Sequence, residues 1–254
     1  MDKYLIALDL DETLLNSKKQ VTEKTLTTLM NLKNKGFIIA ISSTRGYGSC
    51  KQIADLIKAD YICCQSGNMI ANNKGEIVYS NAFAKKEVSD FLDNFSKYTD
   101  MIYLDSYDGL YGKDIEEGEY WGIIPCSIQD LYNIETFKLC IYFKPEYKKQ
   151  IFDYCEKNNY ICRPMRGADL MLITPQNSDK YYALEKLMEI ENTDIDHLIV
   201  FGDATSDLLS IQKAKYGVAV SNAKDEVLKE AKFITLSNDN DGVADFLQKT
   251  FPIR

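Results

Sequence analysis

A chain of 254 residues that is 45% hydrophobic and 27% charged has apolar material for one large domain or two unequal ones, in ordinary soluble globular proportions. Its net charge of -8 argues against nonspecific binding to nucleic acid or an anionic membrane, so an anionic ligand needs a metal or a few local cations to hold it. One histidine, His197, excludes a mechanism built on several, and seven cysteines without a CxxC pair read as reduced core residues, neither a zinc site nor a disulfide framework.

The charged Met-Asp-Lys start leads into a short strand and not a secretion signal, and no apolar stretch approaches the roughly 18 to 20 residues that span a bilayer. A cytoplasmic protein is the expectation. A strand is predicted at Leu5–Leu10, then a helix with Leu26, Leu29 and Met30 on one face, then strands at Phe37–Ser43 and Tyr61–Gln65. Val88, Phe91, Leu92 and Phe95 form the stripe of a further helix. In the run "FKLCIYF", Phe137, Leu139, Ile141 and Phe143 alternate with Lys138, Cys140 and Tyr142, which predicts a sheet with one covered and one freer face. Tyr147, Ile151, Tyr154 and Cys155 make a second covering helix. After Lys180, Ala183, Leu184, Leu187 and Met188 share a face, and strands follow at His197–Gly202, Gly217–Val220 and Phe233–Leu236. Most outer strands are continuous apolar runs, as in a parallel sheet buried on both faces. The fold class is therefore α/β: a Rossmann-like parallel-sheet core, residues 1–82 and 177–254, with an α+β unit inserted at residues 83–176.

Four segments of the outer unit carry the chemistry. Asp9-Leu-Asp-Glu-Thr13, Ser42-Ser43-Thr44-Arg45 and Gly202-Asp-Ala-Thr-Ser-Asp207 fall at carboxyl ends of predicted strands, where open α/β sheets bind ligands. Asn177-Ser-Asp-Lys180 leads into a helix. Taken singly, each has a bland explanation: a turn at Asp203, a helix start at Asp207, a solvated Lys180, a loop hydroxyl at Ser43. Taken together and in order, they supply carboxylates, hydroxyls and one lysine, the donor set of a Mg²⁺-assisted phosphoryl site. Asp9 and Asp11 would repel each other at such close spacing, and a cation between Asp9 and Asp203 resolves the conflict while Asp11 turns toward substrate. Arg45, Arg163 and Arg166, taken alone, read as structural or solvated, and His197 as a surface residue.

These motifs resemble those of the haloacid dehalogenase superfamily, and within it the Cof-type sugar-phosphate phosphatases, over almost the whole chain. The DxDxT element is Asp9, Asp11 and Thr13; the second hydroxyl is Ser43; the lysine is Lys180; the acidic pair is Asp203 and Asp207; and the ending "GVAVSNAKDEVLKEAKFITLSNDNDGVADFL" is similar to the family's. The resemblance implies a Mg²⁺-dependent phosphatase acting on small phosphate monoesters, with the inserted unit as its cap. Asp9 is then the nucleophile, Asp11 the acid and base, and Ser43 and Lys180 hold the transferring oxygens. The metal set is Asp9, Asp11 through its backbone carbonyl, Asp203 and Asp207; Leu10, Thr44, Arg45 and Ser206 are candidates for lining the phosphate. Two positions depart from the family pattern: Thr44 replaces a glycine and Ser206 an asparagine. They motivate a weakened phospho-ligand binding or regulatory protein as an alternative, beside a phosphomutase. No protein partner is evident.

Overall fold

The computed structural model describes residues 3–113, 122–165 and 170–252. Its strands in chain order are β1 (Leu5–Leu8), β2 (Ile38–Ser42), β3 (Tyr61–Cys64), β4 (Met69–Asn72), β5 (Ile77–Ser80), β6 (Thr99–Asp105), β7 (Leu110–Lys113), β8 (Ile123–Pro125), β9 (Lys138–Phe143), β10 (Ile161–Met165), β11 (Leu170–Thr174), β12 (Leu198–Gly202), β13 (Tyr216–Val220) and β14 (Phe233–Thr235). The helices are α1 (Glu23–Asn34), α2 (Tyr47–Ile57), α3 (Lys85–Phe95), α4 (Ile128–Leu131), α5 (Lys148–Lys157), α6 (Lys180–Glu191), α7 (Leu208–Lys213), α8 (Asp225–Glu230) and α9 (Gly242–Thr250). Two compact units result. One is built from the segment ending at Arg45, from Ser49–Tyr79 and from the segment beginning at Asp179; the other from Gly46–Gly48 and Ser80–Ser178.

In the first unit the sheet order is β14-β13-β12-β1-β2-β3-β4-β5. The six strands from β14 to β3 run parallel, and β4 is antiparallel to β3. Sequence reading missed β4 and β5, short strands reached through a turn with little periodicity of its own. Leu5, Ala7, Val200 and Ala219 join Ala183, Leu184, Leu187 and Met188 of α6 in one core, so the expected α6 face does pack inward. Helix α1 differs from expectation. Leu29 and Leu32 are buried beside Thr25 and Thr28, while Leu26 and Met30 are only half-buried. The Thr28 hydroxyl donates to the Lys24 carbonyl at 2.8 Å, which satisfies it inside the helix and lets it occupy a core position.

The second unit has the order β10-β11-β9-β6-β7-β8. One face of β9 behaves as its alternation predicts: Leu139, Ile141 and Phe143 pack with Ile102, Leu104, Met171 and Ile173 under Val88, Phe91, Leu92 and Phe95 of α3 and Ile151 and Cys155 of α5. The other face is not free. Lys138 is 7% exposed, lies directly across from Asp105 on β6 and donates to its carboxylate at 2.8 Å. Cys140 is buried opposite Tyr103, and Tyr142 alone of the three is half-buried. Cross-strand pairing supplies Lys138 with a counter-charge, a partner that alternation along one strand cannot reveal.

The seven cysteines are free thiols, five of them buried. His197 is not simply superficial: its ring accepts or donates a 2.6 Å bond with Asp194 and meets the Tyr4 ring edge-on. Arg163 is exposed on β10, and Arg166 lies outside the described residues. Among the described residues no helix is long and apolar enough to cross a membrane.

Candidate active site

Parallel register brings the motifs to one edge of the first unit's sheet. Leu8 is in register with Ile41 of β2 and with Phe201 of β12, so the residues that follow, Asp9, Ser42-Ser43 and Gly202-Asp203, leave the sheet side by side. Strand β1 stops two residues earlier than predicted. Leu10–Leu14 form a wide helical turn closed by the Leu15 N–H on the Leu10 carbonyl at 2.9 Å, with Glu12 at φ 57°. This turn folds the Asp11 carboxylate and Thr13 back over the strand end.

Asp9 and Lys180 are both buried. The Lys180 ammonium, 3% exposed, donates to Asp9 Oδ1 at 2.5 Å and to Asp207 Oδ1 at 2.6 Å. Asp207 Oδ2 accepts the N–H groups of Asp203 and Ala204, and Thr13 Oγ1 donates to Asp203 Oδ1 at 3.0 Å. Carboxylate oxygens of Asp9, Asp203 and Asp207 lie within 4.8 Å of one another. Burial pushes the Asp9 carboxyl up to about 7 against the pull of Lys180, with Asp207 and Asp203 adding to the rise. Asp203 is raised as well, by burial first and then by Asp207, against the Thr13 hydrogen bond. Burial alone would lower the Lys180 ammonium, but the charges of Asp207 and Asp9 outweigh it and hold its proton firmly.

Asp11 has different company. Arg45 donates Nε to Asp11 Oδ2 at 2.8 Å and Nη2 to Oδ1 at 2.6 Å, and Lys19 reaches Oδ1 at 3.2 Å. Partial burial opposes ionisation of Asp11, yet the Arg45 fork and Lys19 outweigh it and hold the carboxyl below its ordinary value. Arg45 is thus not merely solvated; it grips Asp11. Leu10 is fully buried, which leaves only its backbone for a ligand. Ser43 is buried, its hydroxyl accepting the Arg45 N–H at 3.2 Å, whereas Thr44 is exposed and Ser206 half-buried.

Sequence reading missed three contributors: Lys19, the hold of Thr13 on Asp203, and the turn Gln65-Ser66-Gly67, whose residues take φ of 57°, 60° and 87°. A Cβ on Gly67 would lie 2.1 Å from the Asp179 carbonyl oxygen, so glycine lets this turn press against the start of α6, where Lys180 sits. Its signal was the Ser-Gly-Asn run directly after a strand. Likewise a Cβ on Gly202 would lie 2.4 Å from Asp207 Cβ, so glycine admits Asp207 to the strand end.

The sequence profile of the haloacid dehalogenase-like hydrolases matches residues 6–247. The chain belongs to this family. A 5-amino-6-(5-phospho-D-ribitylamino)uracil phosphatase of Bacillus subtilis is 25% identical over 278 residues, covering 96% of this chain and 96% of its own. A putative phosphatase of the same organism is 28% identical over 262 residues, covering 94% of this chain and 95% of its own. In three dimensions, a sugar phosphatase of subclass IIB of this superfamily superposes with a TM-score of 0.74 at 19% identity over 99% of each chain, a likeness of fold. This haloacid dehalogenase-like hydrolase is a phosphatase of the Cof type.

Proposed function

We propose that this phosphatase hydrolyses small-molecule phosphate monoesters of the cytoplasm in a Mg²⁺-dependent reaction through an aspartyl-phosphate on Asp9. The observation that carries this reading is the buried Asp9 set between Lys180 and two further carboxylates at the sheet edge. The donor set suits Mg²⁺, which takes hard oxygen ligands. Asp9 Oδ2 and the second oxygen of Asp203 accept no hydrogen bond among the described residues, and the raised affinity of both groups for protons marks a site short of positive charge. Asp9, Asp203 and the backbone carbonyl of Asp11 would hold the ion. Asp207, with Oδ1 on Lys180 and Oδ2 on two N–H groups, would meet it through water. Bound there, Mg²⁺ would neutralise charge on the phosphoryl oxygens.

In the proposed reaction Asp9 attacks phosphorus, the bond to the leaving oxygen breaks, and Asp11 supplies that oxygen with a proton. Asp11 then takes a proton from the water that attacks the acyl phosphate, which frees phosphate and restores Asp9. Ser43 and Lys180 hold the transferring oxygens. In the free enzyme Arg45 and Lys19 hold Asp11 ionised; on leaving them the carboxyl takes up from solvent the proton that it gives to the leaving oxygen. Steady-state phosphate release from p-nitrophenyl phosphate with and without Mg²⁺ tests the reading. Release that needs Mg²⁺ supports it; no release with Mg²⁺ present, or equal release in chelator, overturns it. Among metabolites, the ester that names the Bacillus relative is the first to assay.

The raised carboxyls give a pH test. A group whose folded pKa exceeds its unfolded value contributes stability below the unfolded value, near 3.8, and loses it as pH rises through about 7 for Asp9. Metal-free protein should lose this contribution across that window, and Mg²⁺ should restore more at the upper end. Thermal unfolding is therefore expected to show a larger Mg²⁺-induced rise in Tm at about pH 8 than at about pH 5.5. Equal rises at both would contradict ligation by Asp9.

Ser206 offers a shorter side chain than the asparagine common in the family, and its neighbours do not compensate. Asn222 spends its amide on the Glu12 carbonyl at 2.8 Å and its oxygen on the Asn238 N–H at 3.0 Å, and Thr205 is bonded to Glu226. Ser206→Asn is expected to lower the Mg²⁺ concentration for half-maximal activity about tenfold. A parent already saturated at micromolar Mg²⁺, with a slower variant, would remove the argument.

We further assign residues 83–176 as the cap that selects the leaving group. Because Lys138 is paired and buried, the informative position on that sheet face is the half-buried Tyr142. Tyr142→Ala should reorder a panel of sugar phosphates, nucleotides and cofactor phosphates while changing p-nitrophenyl phosphate turnover less than about threefold. A uniform loss across all esters would make the face merely structural.

A further inference from the structure

The edge of the first unit's sheet opposite the carboxylates holds a cleft of about 430 Å³, at the amino ends of β2 and β3. Roughly 13 Å of strand β1 separates this end from the one that carries Asp9. The volume falls in the range of small-molecule pockets and is many times that of a water molecule. Two lysines enter the cleft: Lys3, just before β1, and Lys33, in the last turn of α1. Each meets a carboxylate, Lys3 on Glu191 and Lys33 on Asp60.

Every carboxylate oxygen in the cleft already accepts one hydrogen bond: Glu191 accepts from Tyr61 Oη at one oxygen and Lys3 at the other, and Asp60 accepts from Lys33 at one and the Ile39 N–H, at 3.0 Å, at the other. The side chain of Asn72 is also used, accepting the N–H groups of Lys74 and Glu76 and donating to Glu76. The ammonium groups are not used up. Each carries three N–H bonds. Among the described residues Lys33 donates only to Asp60, and Lys3 only to Glu191, through its carboxylate and, at 3.4 Å, its carbonyl. The charged donors the cleft offers a ligand are therefore N–H on two cations, with the exposed Asn73 amide on the rim, beside the half-buried ring of Phe37, which Tyr4 fixes by stacking at 5.1 Å and Phe251 by edge contact at 5.3 Å.

We propose that this cleft binds a small molecule through an oxyanion, a phosphate or carboxylate group whose oxygens accept the remaining N–H bonds of Lys33 and Lys3. The two counter-carboxylates cancel the formal charge of the lysines, so the ligand is held by directed, charge-assisted hydrogen bonds and not by a long-range field. The site stands apart from the phosphoryl chemistry and is tested independently of it.

Lysine acetylation of the intact protein in chelator, read residue by residue by peptide mass spectrometry, tests the proposal with inorganic phosphate and succinate as probes against chloride at matched ionic strength. Labelling of Lys33 and Lys3 should slow at least about threefold, saturably, in the millimolar range, while Lys18 and Lys51 stay unchanged. Protection by phosphate alone identifies a phosphoryl ligand, by succinate alone a carboxylate, and by both a general oxyanion site. Protection by neither up to about 20 mM overturns the proposal. Lys33→Met should then weaken the protection of Lys3 at least about tenfold; undiminished protection in a folded variant overturns the shared site. The footprint of the parent protein decides the matter even if that variant does not fold.

Discussion

Asp9→Asn should lower phosphate-ester turnover at least about a thousandfold while leaving the protein folded. In the proposed mechanism the amide, which matches the carboxylate in shape but does not attack phosphorus, removes the nucleophile and leaves the proposed acid, Asp11, in place. Folding should survive because the substitution removes one of three carboxylates crowded within 4.8 Å, and Lys180 keeps Asp207 as a partner at 2.6 Å. In chelator the variant is expected to unfold at the same temperature as the parent or higher, and to lose the pH dependence contributed by Asp9. Single-turnover kinetics and thermal unfolding measure the two effects. Activity within about tenfold of the parent would sink the nucleophile assignment.

Lys180→Met is the second large effect, and it reaches stability as well as rate. Methionine fills much of the lysine's volume but leaves Asp9 and Asp207, both buried, without the ammonium that lies between them. Removing one partner of a buried ion pair destabilises by about 3–5 kcal/mol, because the remaining charge stays out of water without compensation. Denaturant unfolding in chelator near neutral pH should show a loss of that order, shrinking toward acid pH as Asp9 takes up a proton. Mg²⁺ should recover part of the stability. Turnover should stay at least about a hundredfold below the parent, as when one fixed charge-stabilising donor is removed. A stability loss under about 1 kcal/mol would show that the lysine is not the keystone of the cluster. Full activity after Mg²⁺ rescue would show that it serves the fold alone.

The part of the site that local sequence could show is the part written in contiguous residues. Asp9, Asp11 and Thr13 interrupt an apolar run where a strand must end, and Gly202-Asp203 does the same 190 residues later. Parallel strands with flush ends bring such interruptions together, which is why strand ends and motif order were enough to join Asp9, Ser43, Lys180, Asp203 and Asp207. Helix α6 was equally legible, since its 3.6-residue stripe lies in a segment with no competing signal.

What escaped the sequence was decided by partners far along the chain. Arg45 and Asp11 are 34 residues apart, and only the turn at Leu10–Leu14 places the carboxylate against the guanidinium fork. Lys138 looked free because alternation reports which side of a strand a residue faces, not what stands across from it; Asp105 on β6 makes burial of the charge possible. Thr25 and Thr28 take core positions in place of Leu26 and Met30 because their hydroxyls are satisfied locally, Thr28 on the Lys24 carbonyl of its own helix and Thr25 by the hydroxyl of the N-cap Thr22. Periodicity and residue type, both local, are enough for the α/β class, for the strand ends on which the proposed chemistry rests and for the residues that cluster there. The tertiary structure alone decided which charges pair, which carboxyls are pushed toward neutrality and which lysines keep hydrogen bonds to offer, since burial and counter-charge belong to the space around a side chain and not to its position in the chain.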